Sequence, residues 1–126
     1  MRYWTLVIVG TLLAASACRD RGPSPEDIVG TYAAELPAEV EPMRTVTLHL
    51  AEGNAAELSV AGPDRTRRET GTWLLGSRGD VRVVLARDGF GPVSNDITFQ
   101  WSDGTLTAIA FDTVQWGGRG FSLVRQ

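Results

Sequence analysis

Thr45-Val46-Thr47-Leu48-His49-Leu50 sends Val46, Leu48 and Leu50 to one side and Thr45, Thr47 and His49 to the other. Apolar residues at every second position mark a strand with one face buried and one in water. Turn formers bound the stretch: the proline-bracketed loop Leu36-Pro37-Ala38-Glu39-Val40-Glu41-Pro42 before it, and Glu52-Gly53-Asn54 after it. The same unit recurs along the chain. Upstream, Ile28–Glu35 is an apolar segment centred on Tyr32. Downstream, Glu57–Ala61 turns Leu58 and Val60 inward, and Arg67–Leu75 aligns Gly71, Trp73 and Leu75. Val81, Val83 and Leu85 alternate with Arg82 and Val84, and Ile97, Phe99 and Trp101 alternate with Thr98 and Gln100. Leu106–Phe111 and Phe121–Val124 complete the series, with bends at Gly62-Pro63-Asp64, Gly76–Gly79, Asp88–Pro92 and Gly117–Gly120. Ser102-Asp103-Gly104 predicts a tight hairpin, because Asp-Gly accommodates the positive φ angles such turns need.

About eight short strands at this spacing predict an all-β domain over residues 28–126. Short sequential connections favour antiparallel neighbours. Closing the sheet removes unpaired edges, so the expected architecture is a small antiparallel up-and-down β-barrel. After Cys18 only Pro25–Val29 leaves room for a helix, and for one turn of it.

The N-terminal residues have a different character. Arg2 is followed by an apolar run from Tyr3 to Ala17, ending Leu12-Leu13-Ala14-Ala15-Ser16-Ala17-Cys18. The run is shorter than the roughly 20 residues that span a bilayer. A basic start, a short apolar segment and small residues at a cleavage point describe a secretory signal. A lone cysteine directly after the small residues is the lipoprotein variant of that signal. Residues 1–17 are expected to be removed and Cys18 to become the acylated first residue, carrying diacylglycerol and an N-acyl chain such as palmitate. Residues 18–27, with Gly22-Pro23-Ser24-Pro25, read as the lipidated cysteine and a tether, since proline disrupts regular structure. Arg19 follows the cysteine, and no aspartate stands there to retain the protein at an inner membrane. The expected location is the cell envelope, anchored to the outer membrane through the lipid on Cys18.

The chain after the signal holds 11 arginines, no lysine and 15 acidic residues. An acidic balance excludes the basic face that nucleic acid requires, and it gives no polybasic attraction to anionic lipid. With one cysteine there is no disulfide, and the domain must stand on its core.

Gly30-Thr31-Tyr32 followed by Leu36-Pro37, Val46-Thr47-Leu48 and Glu69-Thr70-Gly71-Thr72-Trp73 resembles the N-terminal domain of NlpE-type envelope lipoproteins. The resemblance implies a lipocalin-like barrel and a role in envelope sensing. That family carries a C-x-x-C pair in the loop after Leu-Pro, where this chain has Ala38 and Glu41. Alanine cannot ligate a metal and a carboxylate is a hard ligand, so a soft Cu(I) site is not expected here.

Other candidate chemistry is sparse. Glu35, Glu39 and Glu41 cluster about Pro37 without a calcium-loop pattern and read as a solvated acidic loop. His49 is the only histidine and lies on the outer face of its strand, a poor basis for zinc. Arg65, Arg67 and Arg68 make a local basic patch beside a turn, able to receive an acidic partner or a phosphate, and read first as charges blunting an edge strand. Trp73, Trp101, Trp116, Phe99, Phe111 and Phe121 supply the aromatic mass, mostly core, with one or two able to line an apolar pocket. Nucleophile, base and orienting group cannot be assembled, so no catalytic residue, metal or cofactor is expected. The function expected is a protein-interaction or envelope-sensing module. The alternatives are a carrier of a small apolar ligand, or a lipoprotein inhibitor of a hydrolase such as lysozyme acting through the Pro37–Pro42 loop.

Overall fold

The computed structural model describes residues 22–36, 43–87, 89 and 91–126. Cys18 and the loop residues Ala38, Glu39 and Glu41 lie outside the described residues.

Eight strands form a closed barrel in sequence order. They are β1 (Gly30–Leu36), β2 (Arg44–Leu50), β3 (Ala55–Ala61), β4 (Thr66–Leu75), β5 (Asp80–Arg87), β6 (Val93–Ser102), β7 (Thr105–Ala110) and β8 (Ser122–Arg125). Every neighbouring pair is antiparallel, and β8 pairs β1 through Tyr32↔Arg125 and Ala33↔Val124 to close the ring. The strands expected from alternation fall on these eight, usually one or two residues shorter at an end. The Asp103-Gly104 hairpin has φ of 50° and 80°, the positive pair its sequence calls for.

Parity along each strand decides what is inside. Val46, Leu48 and Leu50 of β2, Val81, Val83 and Leu85 of β5, and Ile97 and Phe99 of β6 are all buried. With Tyr32, Leu58, Trp73, Leu106 and Leu123 they form one continuous cluster. Each such side chain contributes about 1.5–3 kcal/mol on burial. Gly71 of β4 sits opposite Leu85 of β5, where a Cβ would lie 1.9 Å from the Val84 carbonyl oxygen. The close strand approach there requires glycine.

The two ends of the barrel are built differently. The entry end carries the β2–β3, β4–β5 and β6–β7 turns and the helical turn α1 (Pro25–Ile28). The proline expected to prevent regular structure instead occupies the first helical position, where its missing N–H costs nothing. Ser24 N–H donates to Asp27 Oδ2 (2.9 Å), and Ile28 is fully buried. Residues 24–27, read from sequence as tether, are therefore part of the folded body. Gly22 already lies against the β4–β5 turn, its Cβ position 3.2 Å from the Ser77 carbonyl oxygen. The opposite end, the mouth, carries the β1–β2, β3–β4 and β5–β6 connections and the long β7–β8 connection. The last holds a second helical turn that strand alternation does not foreshadow, α2 (Thr113–Trp116), capped by Asp112 Oδ1 accepting from Val114 N–H at 2.9 Å.

Candidate binding site at the barrel mouth

Three strands turn polar side chains inward near the mouth, each in phase with an apolar series. Arg44 precedes Val46, Leu48 and Leu50 on β2. Glu69 precedes Gly71, Trp73 and Leu75 on β4. Asn95 precedes Ile97 and Phe99 on β6. Glu69 is 1% exposed and Asn95 is 3% exposed. Burying a carboxylate without partners would be prohibitive, and Glu69 has several. Its Oε2 accepts from Arg67 Nε at 3.0 Å. Its Oε1 accepts from Asn95 Nδ2 at 2.8 Å and from the Ser94 hydroxyl.

The network continues into α2. Asn95 Oδ1 accepts from Trp116 Nε1 at 2.9 Å. The Trp116 ring stacks on Phe121 with centroids 4.4 Å apart, and Phe121 in turn meets Phe99 and Phe111 edge-on. The Arg44 guanidinium lies 5.3 Å from the Trp116 ring centroid, and its Nη2 donates to the Gln115 carbonyl at 3.4 Å. Arg44, Trp116, Asn95, Glu69 and Arg67 thus form one chain of contacts around the inside of the mouth. Among the described residues, the rim adjoining it bears the exposed apolar side chains of Met43 of the β1–β2 connection, Val93 of β6 and Val114 of α2, the last 94% exposed.

The arginines expected to blunt an edge strand do something else. β4 is hydrogen-bonded to β3 on one side and β5 on the other, so it has no edge to protect. Arg67 points into the mouth, Arg68 points outward to Glu57 at 3.4 Å, and Arg65 is exposed in the turn. Successive residues of a strand face opposite ways, and this divides the apparent patch. His49 is exposed on β2, with Nδ1 2.9 Å from the Thr31 hydroxyl. Glu35 is exposed on β1. Of the aromatic residues, Trp73, Phe99, Phe121 and Trp116 are buried, while Trp101 and Phe111 pack half-buried at the core margin. Among the described residues no three His, Cys, Asp or Glu side chains gather as a metal site would.

Sequence reasoning passed over Arg44, Glu69 and Asn95, yet the parity that located their strands also pointed these three inward. Glu69 falls in the expected strand Arg67–Leu75 and in the family-like segment, with no role assigned to it there. Asn95 falls between the turn ending at Pro92 and the series beginning at Ile97, and the ladder places it in β6.

Comparison with family models, with curated proteins and with solved structures finds no match to this chain.

Proposed function

We propose that this chain is a lipid-anchored envelope protein whose non-catalytic, NlpE-like barrel serves as a protein-interaction or sensing module. The observation that carries the reading is the interior. Apolar inward side chains from all eight strands pack into one cluster, which favours the outer wall and the rims as the surfaces for recognition. The N-terminal run ending in Cys18 supports the anchor, and Ala38 and Glu41 in place of a cysteine pair argue for interaction without copper.

A lipid on Cys18 would reach the barrel through few residues, because Gly22 is already seated at the entry end. At about 3.6 Å per residue the intervening chain spans at most roughly 14 Å. The entry end would then face the membrane and the mouth would face away from it, with Met43, Val93 and Val114 displayed toward partners.

The test is to express the full chain in a Gram-negative cell with an alkyne palmitate analogue. Label on the chain and recovery in the membrane fraction are expected, both lost in Cys18→Ser. A processed, unlabelled and soluble chain would overturn the anchor. A photo-crosslinking residue at Val114 should yield discrete protein adducts that the same residue at Leu74, exposed on the wall of β4, does not.

A further inference from the structure

Among the described residues the mouth holds more inward-facing positive than negative side chains. Two guanidinium groups, Arg44 and Arg67, turn inward there, and the Glu69 carboxylate is the one acidic side chain buried among the described residues. Glu69 commits Oε2 to Arg67 Nε and Oε1 to Ser94 and Asn95. It makes no hydrogen bond to Arg44 among the contacts of the site. Arg44 Nε and Arg67 Nη2 are both buried and have no hydrogen-bond partner. A buried donor without an acceptor costs about 1–3 kcal/mol, more when it is charged.

Both orphaned donors are guanidinium N–H groups, and the groups that match them are planar or tetrahedral oxyanions. Neutral acceptors would leave the second positive charge uncompensated. The surroundings suit such a group. Trp116 covers the site, its indole N–H already bound to Asn95 and one face toward Arg44. Below it the buried apolar side chains form one cluster, which suits a small headgroup held at the mouth. The exposed Met43, Val93 and Val114 on the rim would meet any apolar body attached to it.

We propose that the barrel mouth binds an oxyanion, a carboxylate or phosphate group, on Arg44 and Arg67 beside Trp116. This site is a property of the folded barrel and stands whether or not Cys18 is acylated.

The experiment is thermal unfolding of the full chain in acetate, hexanoate and inorganic phosphate, each against chloride at matched ionic strength. At about ten times the dissociation constant an oxyanion should raise the midpoint by about 5 °C. Hexanoate exceeding acetate would show the apolar rim taking part, and phosphate exceeding both would assign the site to phosphate chemistry. Arg44→Gln, which removes one weak hydrogen bond and a ring contact, should fold and should lose the rise. The pair Arg67→Gln with Glu69→Gln removes both members of the buried ion pair together and should lose it too. No rise above chloride for any of the three anions would overturn the proposal. So would an equal rise in Arg44→Gln, which would mark a general salt effect.

Discussion

The two ends of this barrel solve one problem, that of covering the core where the strands stop, by opposite means. At the entry end the cover is apolar and the polar tips of Tyr32 and Trp73 go to backbone, while Trp101 Nε1 is buried without a partner. Ile28 of α1 is fully buried, Tyr32 donates its hydroxyl to the Ile28 carbonyl at 2.5 Å, and Trp73 Nε1 donates to the Ala51 carbonyl at 2.9 Å. Arg125 reaches over the outside, donating to the Tyr32 hydroxyl at 2.7 Å and to the Asp27 carbonyl. At the mouth the cover is a side-chain network on a buried carboxylate. Backbone carbonyls are fixed by the strands and turns that carry them. A side-chain network holds only while every member is present. The entry end therefore leans on groups the backbone has already fixed, and the mouth on side chains that must all be in place together.

The sharpest way to break this contrast is at Trp73. Trp73→Ala should lower the free energy of unfolding by about 3–5 kcal/mol, as for other large core aromatics. Chemical denaturation measures it, and a loss as small as that of a surface change would deny the entry end its structural role. Glu69→Ala comes next. Leaving the Arg67 charge and the Ser94 and Asn95 groups without their acceptor should cost about 3 kcal/mol. The loss is moderated because the Arg67 side chain is 31% exposed. Replacing the pair together, Glu69→Leu with Arg67→Met, should return stability to within about 1 kcal/mol of the original, since buried ion pairs rarely exceed an apolar replacement. A double variant as unstable as Glu69→Ala would make the mouth a structural element like the entry end.

Tyr32→Phe removes one hydroxyl that donates to Ile28 and accepts from Arg125, and should cost about 1–2 kcal/mol in the same denaturation experiment. The smallest effect belongs to the outer wall, which serves as a reference for both ends. Arg82 on β5 holds Asp96 on β6 through contacts of 2.9 and 2.6 Å. The hydrogen bonds from Arg82 hold the Asp96 carboxyl below its ordinary value. A carboxylate whose folded-state pKa is depressed stabilises the fold above the unfolded value and loses that contribution as pH falls through the folded one. Asp96→Asn should therefore melt slightly lower than the original chain at pH 7, with the gap shrinking below about pH 4. A gap that widened in acid would contradict the pairing.

Strand positions were legible because a two-residue period survives in nearly every segment, from Val46-Leu48-Leu50 to Ile97-Phe99. The Asp103-Gly104 turn was legible because its chemistry is local. α2 was not, since four residues, Thr113-Val114-Gln115-Trp116, are too few to show a helical period. The three arginines near the β3–β4 turn were misjudged because nearness in sequence is not nearness on a surface. Arg67 and Arg68 are neighbours in the chain and face opposite sides of the wall.

What the sequence by itself determined was the class and the closure. Alternating apolar residues demand a sheet with one dry face, and eight short strands with short turns leave a barrel as the arrangement without edges. What only the tertiary structure decided was which inward residues meet. Parity says that Glu69, Asn95 and Arg44 point inside. It is silent on register between β4 and β6, and on where the β7–β8 connection lays Trp116. Glu69 and Asn95 are 26 residues apart in the chain, and Asn95 and Trp116 are 21 apart. Hydrogen bonds act over about 3 Å, so the mouth network exists only once the closed ring has set those positions side by side.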